Sequence, residues 1–242
     1  MATHLRVPHS VGLGLSSVLA TGHLLLVSFN QTFAEHIRPQ FPLRDVEFNI
    51  VVDPEAAKLV FSNFELAAKT TMIPLDVTHQ VLATKEVKNI LLHGGSLEEP
   101  DTLDKSGKPS TLRTMFVELL NFFGQTYATV FGITDGPPLH DPLAVAAILD
   151  GVVGYEIPFY DYELGHEGRK ERYEVSIVIE GTHEEALKGE TETGRTIVKL
   201  LEKGEGGIKI PRSLNVQRFW TVLEECLQRA DERNSKDELG EK

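Results

Sequence analysis

The sequence has little cysteine and no cluster of basic residues, and each scarcity excludes a class of protein. Among 242 residues there is one cysteine, Cys226. No disulfide can therefore form within the chain, and zinc-ribbon and iron–sulfur sites are excluded. Lys and Arg number 24 against 36 Asp and Glu, which gives a formal net charge of −12. Because binding to a phosphate backbone needs clustered Lys and Arg, we expect no nucleic-acid partner, and a small neutral substrate or a cation fits this charge better.

Long apolar runs are also scarce. The stretch over residues 11–29 is mostly apolar, but Ser16, Ser17 and His23 make it a poor membrane-spanning helix. Two interpretations stay open for it: a secretory signal, or a buried strand and helix of an α/β core. We expect the second, and with it a cytoplasmic protein that has no membrane partner.

The rest of the chain has the composition of a globular protein, with 41% apolar and 25% charged residues. Asp53 before Pro54 predicts the start of a helix, and Thr84 predicts the N-cap of another. Residues 70–75 form a β-rich apolar run that predicts a buried strand. A long helix is predicted over residues 111–131, with a core-facing stripe at three- and four-residue steps: Leu112, Met115, Phe116, Leu119, Leu120 and Phe123.

The last third of the chain predicts two strands and a helix. Residues 173–180 alternate as a strand does, and residues 196–200 are its predicted partner. Asn215 predicts the cap of a last helix, on whose buried face we expect Cys226 as an inert thiol, and the tail from Asp231 is predicted to fray. Helices alternating with strands predict an α/β fold: a mostly parallel open sheet flanked by helices, in a single domain over residues 1–242.

Two polar segments at loop-to-helix junctions are the candidate functional site. Glu47 and Asn49 stand two apart on a predicted extended segment, so they should point the same way and could grip a vicinal diol. His140 can act as an acid near neutral pH, and Asp141 offers the hard oxygen ligands that calcium or magnesium prefers. Each has a structural alternative: Asp141 as a helix N-cap, His140 as a hydrogen-bonded loop residue, and Glu47 as a solvated side chain.

Taken together, three segments resemble the motifs of the inosine–uridine nucleoside hydrolases. Residues 47–57 read Glu-Phe-Asn-Ile-Val-Val-Asp-Pro-Glu-Ala-Ala, and they are similar to the family's central motif. Residues 74–79 resemble the strand that follows, and residues 138–146, Pro-Leu-His-Asp-Pro-Leu-Ala-Val-Ala, resemble the C-terminal motif. The resemblance runs over residues 18–230. It implies a nucleoside hydrolase-like fold and an enzyme that hydrolyses the N-glycosidic bond of ribonucleosides, releasing ribose and a free purine or pyrimidine base.

The resemblance also implies a role for each site residue. Glu47 and Asn49 would contact the ribose, and His140 would assist departure of the base as an acid or a hydrogen-bond donor. Asp141 would ligate a calcium ion, and Thr21 would give that ion a backbone carbonyl. Family members form homo-oligomers, and the oligomeric state of this chain is left open, as is its preference between purine and pyrimidine nucleosides.

The chain departs from the family at its N-terminal side. The family begins with an aspartate-rich motif, Asp-x-Asp-x-x-x-Asp-Asp, that supplies most calcium ligands, whereas the first aspartate here is Asp45. The sequence therefore predicts an N-terminally truncated member with an incomplete calcium site and impaired activity. Two alternatives remain: a non-catalytic remnant that binds ribose or nucleosides or serves as an assembly subunit, and a secreted hydrolase that uses the apolar N-terminus as a signal.

Overall fold

The computed structural model describes residues 18–20, 23–28, 48–95, 107–161 and 171–240. The chain divides into two compact units. Of the described residues, the sheet unit comprises 18–20, 23–28, 48–77, 140–148, 159–161 and 171–213, and the helical unit comprises 78–95, 107–139, 149–158 and 214–240. No helix in the described ranges combines the length and the apolar character that a membrane crossing requires.

The described residues form both helices and strands, consistent with the predicted α/β class. A short 3₁₀ turn, Ala147–Leu149, follows the seventh helix. The elements in chain order are β1 (Val18–Ala20), β2 (His23–Ser28), α1 (Phe48–Val51), α2 (Pro54–Ser62), α3 (Phe64–Ala67), β3 (Thr70–Pro74), α4 (Leu75–Thr78), α5 (Lys85–His93), α6 (Thr111–Phe131), α7 (His140–Ala146), β4 (Phe159–Tyr160), β5 (Tyr173–Ile177), α8 (His183–Lys188), β6 (Thr196–Leu200), β7 (Ser213–Leu214) and α9 (Val216–Gly240).

Strand pairing in the sheet unit is mixed. β2 pairs antiparallel with β1 and parallel with β3. Lys209 continues the ladder beyond β3, accepting from Met72 N at 2.9 Å, and Ile208 exchanges two backbone hydrogen bonds with Tyr173 of β5. The chain passes from β5 through α8 to β6, and β6 runs antiparallel beside β5. The predicted pairing of residues 173–180 with 196–200 is confirmed, whereas the described pairings do not confirm a mostly parallel sheet.

Helix α2 covers the core of the sheet unit, and the sequence predicted it correctly. The Asp53 carboxylate accepts from Ala56 N at 2.9 Å, so Asp53 is the N-cap as expected, and the helix ends at Ser62. The core beneath it combines residues from helix and strands: Ile50, Ala57, Phe61, Met72, Val175, Ile177 and Ile208.

The helical unit is built from α5, α6 and α9, joined by one buried cation. Arg113 of α6 donates to the Leu91 carbonyl of α5 at 2.6 Å and pairs with Glu224 of α9 at 2.7 Å. Asp231 of α9 accepts from Arg113 Nε at 2.6 Å and from the Ser110 hydroxyl at 2.7 Å. Asp231 begins the segment that was expected to fray; its contacts fix the helix at that residue, and α9 continues to Gly240.

The predicted core stripe of α6 is wrong for three of its six members, and Leu112 and Phe116 are half-buried. The helix occupies residues 111–131 as predicted, but of the stripe only Leu120 is buried. Arg113 and Val117 complete the buried side, because the ion pairs of Arg113 turn that side toward α5 and α9. Met115, Leu119 and Phe123 are exposed.

The expectation of a buried Cys226 is also wrong. Asn215 caps α9 as predicted, accepting from Arg218 N at 2.9 Å, and Phe219 and Trp220 are buried. Cys226 lies on that side of the helix but is exposed, with Arg229 donating to its Sγ at 3.0 Å. Periodicity gives the direction of a side chain around a helix, whereas burial also needs a neighbouring element at that height along the axis.

Candidate functional site

His140 and Asp141 stand at the start of α7, which packs against β2 and β3. Leu143 and Ala144 are buried, and they hold the helix against the sheet. His140 is half-buried and Asp141 is exposed. The helix begins at His140, so Asp141 lies within its first turn and the alternative of Asp141 as the N-cap is wrong.

The segment that leads into α7 is fixed by a short backbone ladder within the helical unit. Ala83 N donates to the Pro137 carbonyl at 3.0 Å, and Leu139 N donates to the Val81 carbonyl at 3.2 Å. Gly136 has φ +149°, and a Cβ there would lie 2.3 Å from the Ala83 carbonyl oxygen. Only glycine fits this close approach of two backbones, which sets the path of the chain just before His140.

Asn49 lies on α1, a single helical turn that contacts β2. Asn49 is 8% exposed, and its neighbour Ile50 belongs to the core cluster. The prediction of an extended segment here is wrong, because the buried Ile50 and Val51 fold as a helical turn over the sheet. Glu47 lies outside the described residues, so a direction shared by Glu47 and Asn49 stays a prediction.

His183 contacts the end of α1, and it was not among the residues predicted from the sequence. Its Nδ1 lies 3.2 Å from the Val51 carbonyl oxygen, at the end of α1. His183 begins α8, whose N-cap Thr182 and Glu185 form a reciprocal capping box. The Thr-x-x-Glu pattern was the available sequence signal for this helix start, but nothing local indicated a contact 132 residues away.

Three of the five predicted site residues lie within the described ranges, and all three belong to the sheet unit: Asn49, His140 and Asp141. Their two elements, α1 and α7, both contact β2, so one strand carries both. Glu47 and Thr21 lie outside the described residues.

A second polar cluster in the sheet unit is held by internal ion pairs. Glu171 is buried and accepts from Arg212 at 2.9 Å and from the Tyr173 hydroxyl at 2.7 Å, while Arg172 pairs with Asp161 at 2.7 Å. Burial raises the pKa of Tyr173 above its ordinary value, and the hydrogen bond to Glu171 raises it further. These side chains satisfy one another, so the cluster is structural.

The described residues do not fit a calcium ion. Calcium takes six to eight oxygen ligands. Among the residues that the structure describes, no group of three or more His, Cys, Asp or Glu side chains could hold a metal. Asp141 supplies one exposed carboxylate, which is far short of that coordination.

Similarity to known proteins extends over most of the chain. The family model described as "Inosine-uridine preferring nucleoside hydrolase" matches residues 44–221, a range that includes Glu47, Asn49, His140 and Asp141. The uridine nucleosidase of Saccharomyces cerevisiae is 29% identical over 198 residues, covering 80% of this chain and 50% of that protein. A probable ribonucleoside hydrolase of Dictyostelium discoideum is 31% identical over 180 residues, covering 73% of this chain and 43% of that protein.

Among solved structures, the purine-preferring ribonucleoside hydrolase from Gardnerella vaginalis is similar, with a TM-score of 0.47 and 24% identity. The match covers 75% of this chain and 46% of that one. The chain spans about half the length of the curated relatives named above.

Proposed function

Because this chain belongs to the family of inosine-uridine preferring nucleoside hydrolases, we propose that it hydrolyses the N-glycosidic bond of ribonucleosides, releasing ribose and a free base. The observation that carries the proposal is the matched range itself, which includes both polar segments, together with the common contact of α1 and α7 with β2. The proposal therefore rests on two motifs whose described residues lie on α1 and α7, and both helices contact β2.

In this proposal, His140 protonates the departing base. When the N-glycosidic bond breaks, the base takes the bonding electrons and develops negative charge. A proton donor beside it lowers the barrier, an effect typically worth about a hundredfold to ten-thousandfold in rate. An imidazole is suited to this because its ordinary pKa lies near neutral pH. His140 is half-buried at the start of α7.

Asn49 and Glu47 are proposed to hold the ribose. An amide side chain can donate to one hydroxyl and accept from another, and a carboxylate accepts from both hydroxyls of a diol. Asn49 is held by a turn whose last carbonyl is contacted by His183. A buried amide of this kind loses little further conformational entropy when it binds a sugar, because the fold already orders it.

Calcium enters the proposal only as an expectation from the resemblance. Asp141, and Thr21 through its backbone carbonyl, are the proposed ligands, and further oxygen ligands would have to come from residues outside the described ranges. No catalytic step is assigned to the ion here, because the described residues do not form its site.

The test is direct measurement of base release. Purified chain is incubated with uridine and with inosine, with and without calcium, and the free base is quantified by chromatography. We expect release by the wild type and a loss of about a hundredfold or more in His140→Ala. His93→Ala, a half-buried histidine of the helical unit, is the matched control and should retain activity. Equal rates for His140→Ala and wild type would contradict the assigned role.

A second candidate is a chain that binds ribose or nucleosides without turnover. The observation that favours it is the lack of a metal-holding group in the described residues of a chain spanning about half its relatives. Saturable nucleoside binding by calorimetry, weakened in Asn49→Ala and without base release, would support this candidate. Release that depends on His140 would exclude it.

The remaining expectations follow from the same proposal. Ribonucleoside hydrolysis returns free purine and pyrimidine bases for reuse, so the proposed role is nucleoside catabolism and base salvage in the cytoplasm. The mostly parallel open sheet and the single domain over residues 1–242 stay proposals for this chain.

A further inference from the structure

The carbonyl group at the end of α1 is contacted from a distant part of the chain. The Nδ1 atom of His183 lies 3.2 Å from the Val51 carbonyl oxygen, although the two residues are 132 positions apart. A carbonyl oxygen only accepts hydrogen bonds, so Nδ1 of His183 carries the hydrogen and donates it. The distance lies within the range of N–H···O hydrogen bonds. The bond therefore ties the start of α8 to the end of α1.

Helix α1 needs such contacts because it is too short to be stable by itself. It has four residues, and an isolated helix below about 12–15 residues is marginal in water. The last carbonyls of a helix also have no partner within the helix. In α1, the Ile50 carbonyl accepts from Asp53 N at 3.2 Å. The Val51 carbonyl accepts from His183, and the two bonds together fix the backbone that follows Asn49.

His183 is itself held by the start of its own helix. Thr182, the N-cap of α8, donates its backbone N–H to the Glu185 carboxylate at 2.8 Å. Glu185 N donates in return to the Thr182 hydroxyl at 3.2 Å, and Ala186 is buried. The His183 side chain is exposed, so it is not part of the core. Replacing it should therefore leave the core of the sheet unit intact.

We propose that His183 is a positioning residue for the substrate, which fixes the turn of α1 and thereby holds the Asn49 amide in place for the ribose. The inference rests on the proposed function, in which Asn49 contacts the ribose. Two points fix the turn: the Ile50 side chain in the core at its middle, and the Val51 carbonyl at its end. Helix ends fray, so without the second point the turn loosens close to Asn49. A displaced amide binds the sugar hydroxyls less well.

Loss of this hydrogen bond should weaken nucleoside binding and leave the chemical step nearly unchanged. Protonation of the departing base is assigned to His140, and His183 has no part in that step. Removing an interaction that is equally strong in the bound substrate and in the transition state raises KM and leaves kcat unchanged. From the usual contribution of one hydrogen bond, we expect KM to rise about threefold to tenfold in His183→Ala.

Two amide substitutions separate the effect of the hydrogen bond from that of the ring. In His183→Asn, the side-chain nitrogen is bonded to Cγ, as Nδ1 is in histidine, so it can donate to the same carbonyl. In His183→Gln, the nitrogen lies one bond farther along the side chain. We expect the asparagine variant to restore the wild-type KM and the glutamine variant to behave as His183→Ala does. Glu184→Ala changes an exposed neighbour on α8 and is the matched control, which should keep the wild-type KM.

The experiment combines two measurements on the wild type and each variant. Steady-state hydrolysis of uridine gives KM and kcat, and hydrogen exchange followed by mass spectrometry reports on the backbone amides of residues 48–53 without any nucleoside. Exchange should be faster in His183→Ala and His183→Gln, and unchanged in His183→Asn and Glu184→Ala. If the wild type binds nucleoside without turnover, the Kd from calorimetry replaces KM, with the same expected order of variants. A disturbance confined to α8 would change neither the affinity nor the exchange of α1.

Three results would overturn the proposal. The first is equal exchange in the wild type and His183→Ala, which would show that the bond does not fix the turn. The second is faster exchange with an unchanged KM, which would give His183 a structural role only. The third is a failure of His183→Asn to restore KM, because the hydrogen bond would then not be the cause. A wild type that neither releases base nor binds nucleoside would instead contradict the proposed function, and with it any role of His183 toward substrate.

Discussion

At the scale of single residues, one buried cation stabilises the helical unit. The pKa of Arg113 is raised above its ordinary value, first by the hydrogen bond with Glu224 and then by that with Asp231, against burial, which lowers it. We expect Arg113→Met to cost about 3–5 kcal/mol, because it leaves two carboxylates without their partner. Urea unfolding followed by Trp220 fluorescence measures this, since the single tryptophan is buried in the same unit.

The control for Arg113 is the exposed ion pair of Lys199 with Glu174, whose charged atoms are 3.8 Å apart. Solvent screens that pair, so Lys199→Met should change the free energy of unfolding by less than about 1 kcal/mol. If both substitutions gave the same small effect, the buried network would not be a stabilising element.

Tyr173 links the stability of the sheet unit to alkaline pH. Its pKa is raised by burial and by its hydrogen bond to Glu171, so folding favours the neutral phenol. The resulting stability is fully present below the ordinary pKa of tyrosine and is lost as pH rises through the raised value. Tyr173→Phe should cost about 1–2 kcal/mol at neutral pH and flatten the alkaline loss. Unfolding by circular dichroism as a function of pH checks this, and an unchanged alkaline slope would contradict it.

At the scale of elements, the backbone ladder before α7 depends on glycine at position 136. A Cβ there would lie 2.3 Å from the Ala83 carbonyl oxygen, so Gly136→Ala must separate the two segments. We expect a cost of about 1–3 kcal/mol from this strain. Gly107→Ala is the control, because nothing lies within 4 Å of its added Cβ. Thermal unfolding of both variants measures the difference, and equal midpoints would show that the ladder tolerates a side chain.

Elements determined by local chemistry were predictable from the sequence. Asp53, Thr84 and Asn215 each cap the helix that was expected, because an N-cap side chain bonds within three residues of itself. The exposed side of α6 was not predictable from the sequence. Leu119 and Leu120 are identical side chains at adjacent positions, and only the packing against α5 and α9 decides which of them is buried. The antiparallel direction of β5 and β6 was also not predictable, because it depends on pairing between residues that are distant in the sequence.

The same distinction holds for the candidate site. The loop-to-helix junction at His140 and Asp141 was predictable, and the structure brings α1 and α7 to the same strand. The geometry of Asn49 was not predictable, because its helical turn is stabilised by the core contacts of Ile50 and by His183, both distant in sequence. Roles for Asn49, His140 and Asp141 stay predictions.

At the scale of the whole molecule, family membership and the completeness of the site are separate questions. The match over residues 44–221 establishes the family, whereas the described residues contain no group that could hold a metal. The chain also spans about half the length of its curated relatives. Turnover of nucleosides by this chain is therefore a proposal, and substitution of His140 tests it.

The most direct measurement compares two substrates that differ in their leaving group. Uridine needs a proton on its departing base, whereas p-nitrophenyl riboside releases a stable phenolate that needs none. We predict that His140→Ala loses about a hundredfold to ten-thousandfold in rate on uridine while retaining most of the wild-type rate on p-nitrophenyl riboside. Equal losses on both substrates, or no release by a folded wild type, would contradict the account.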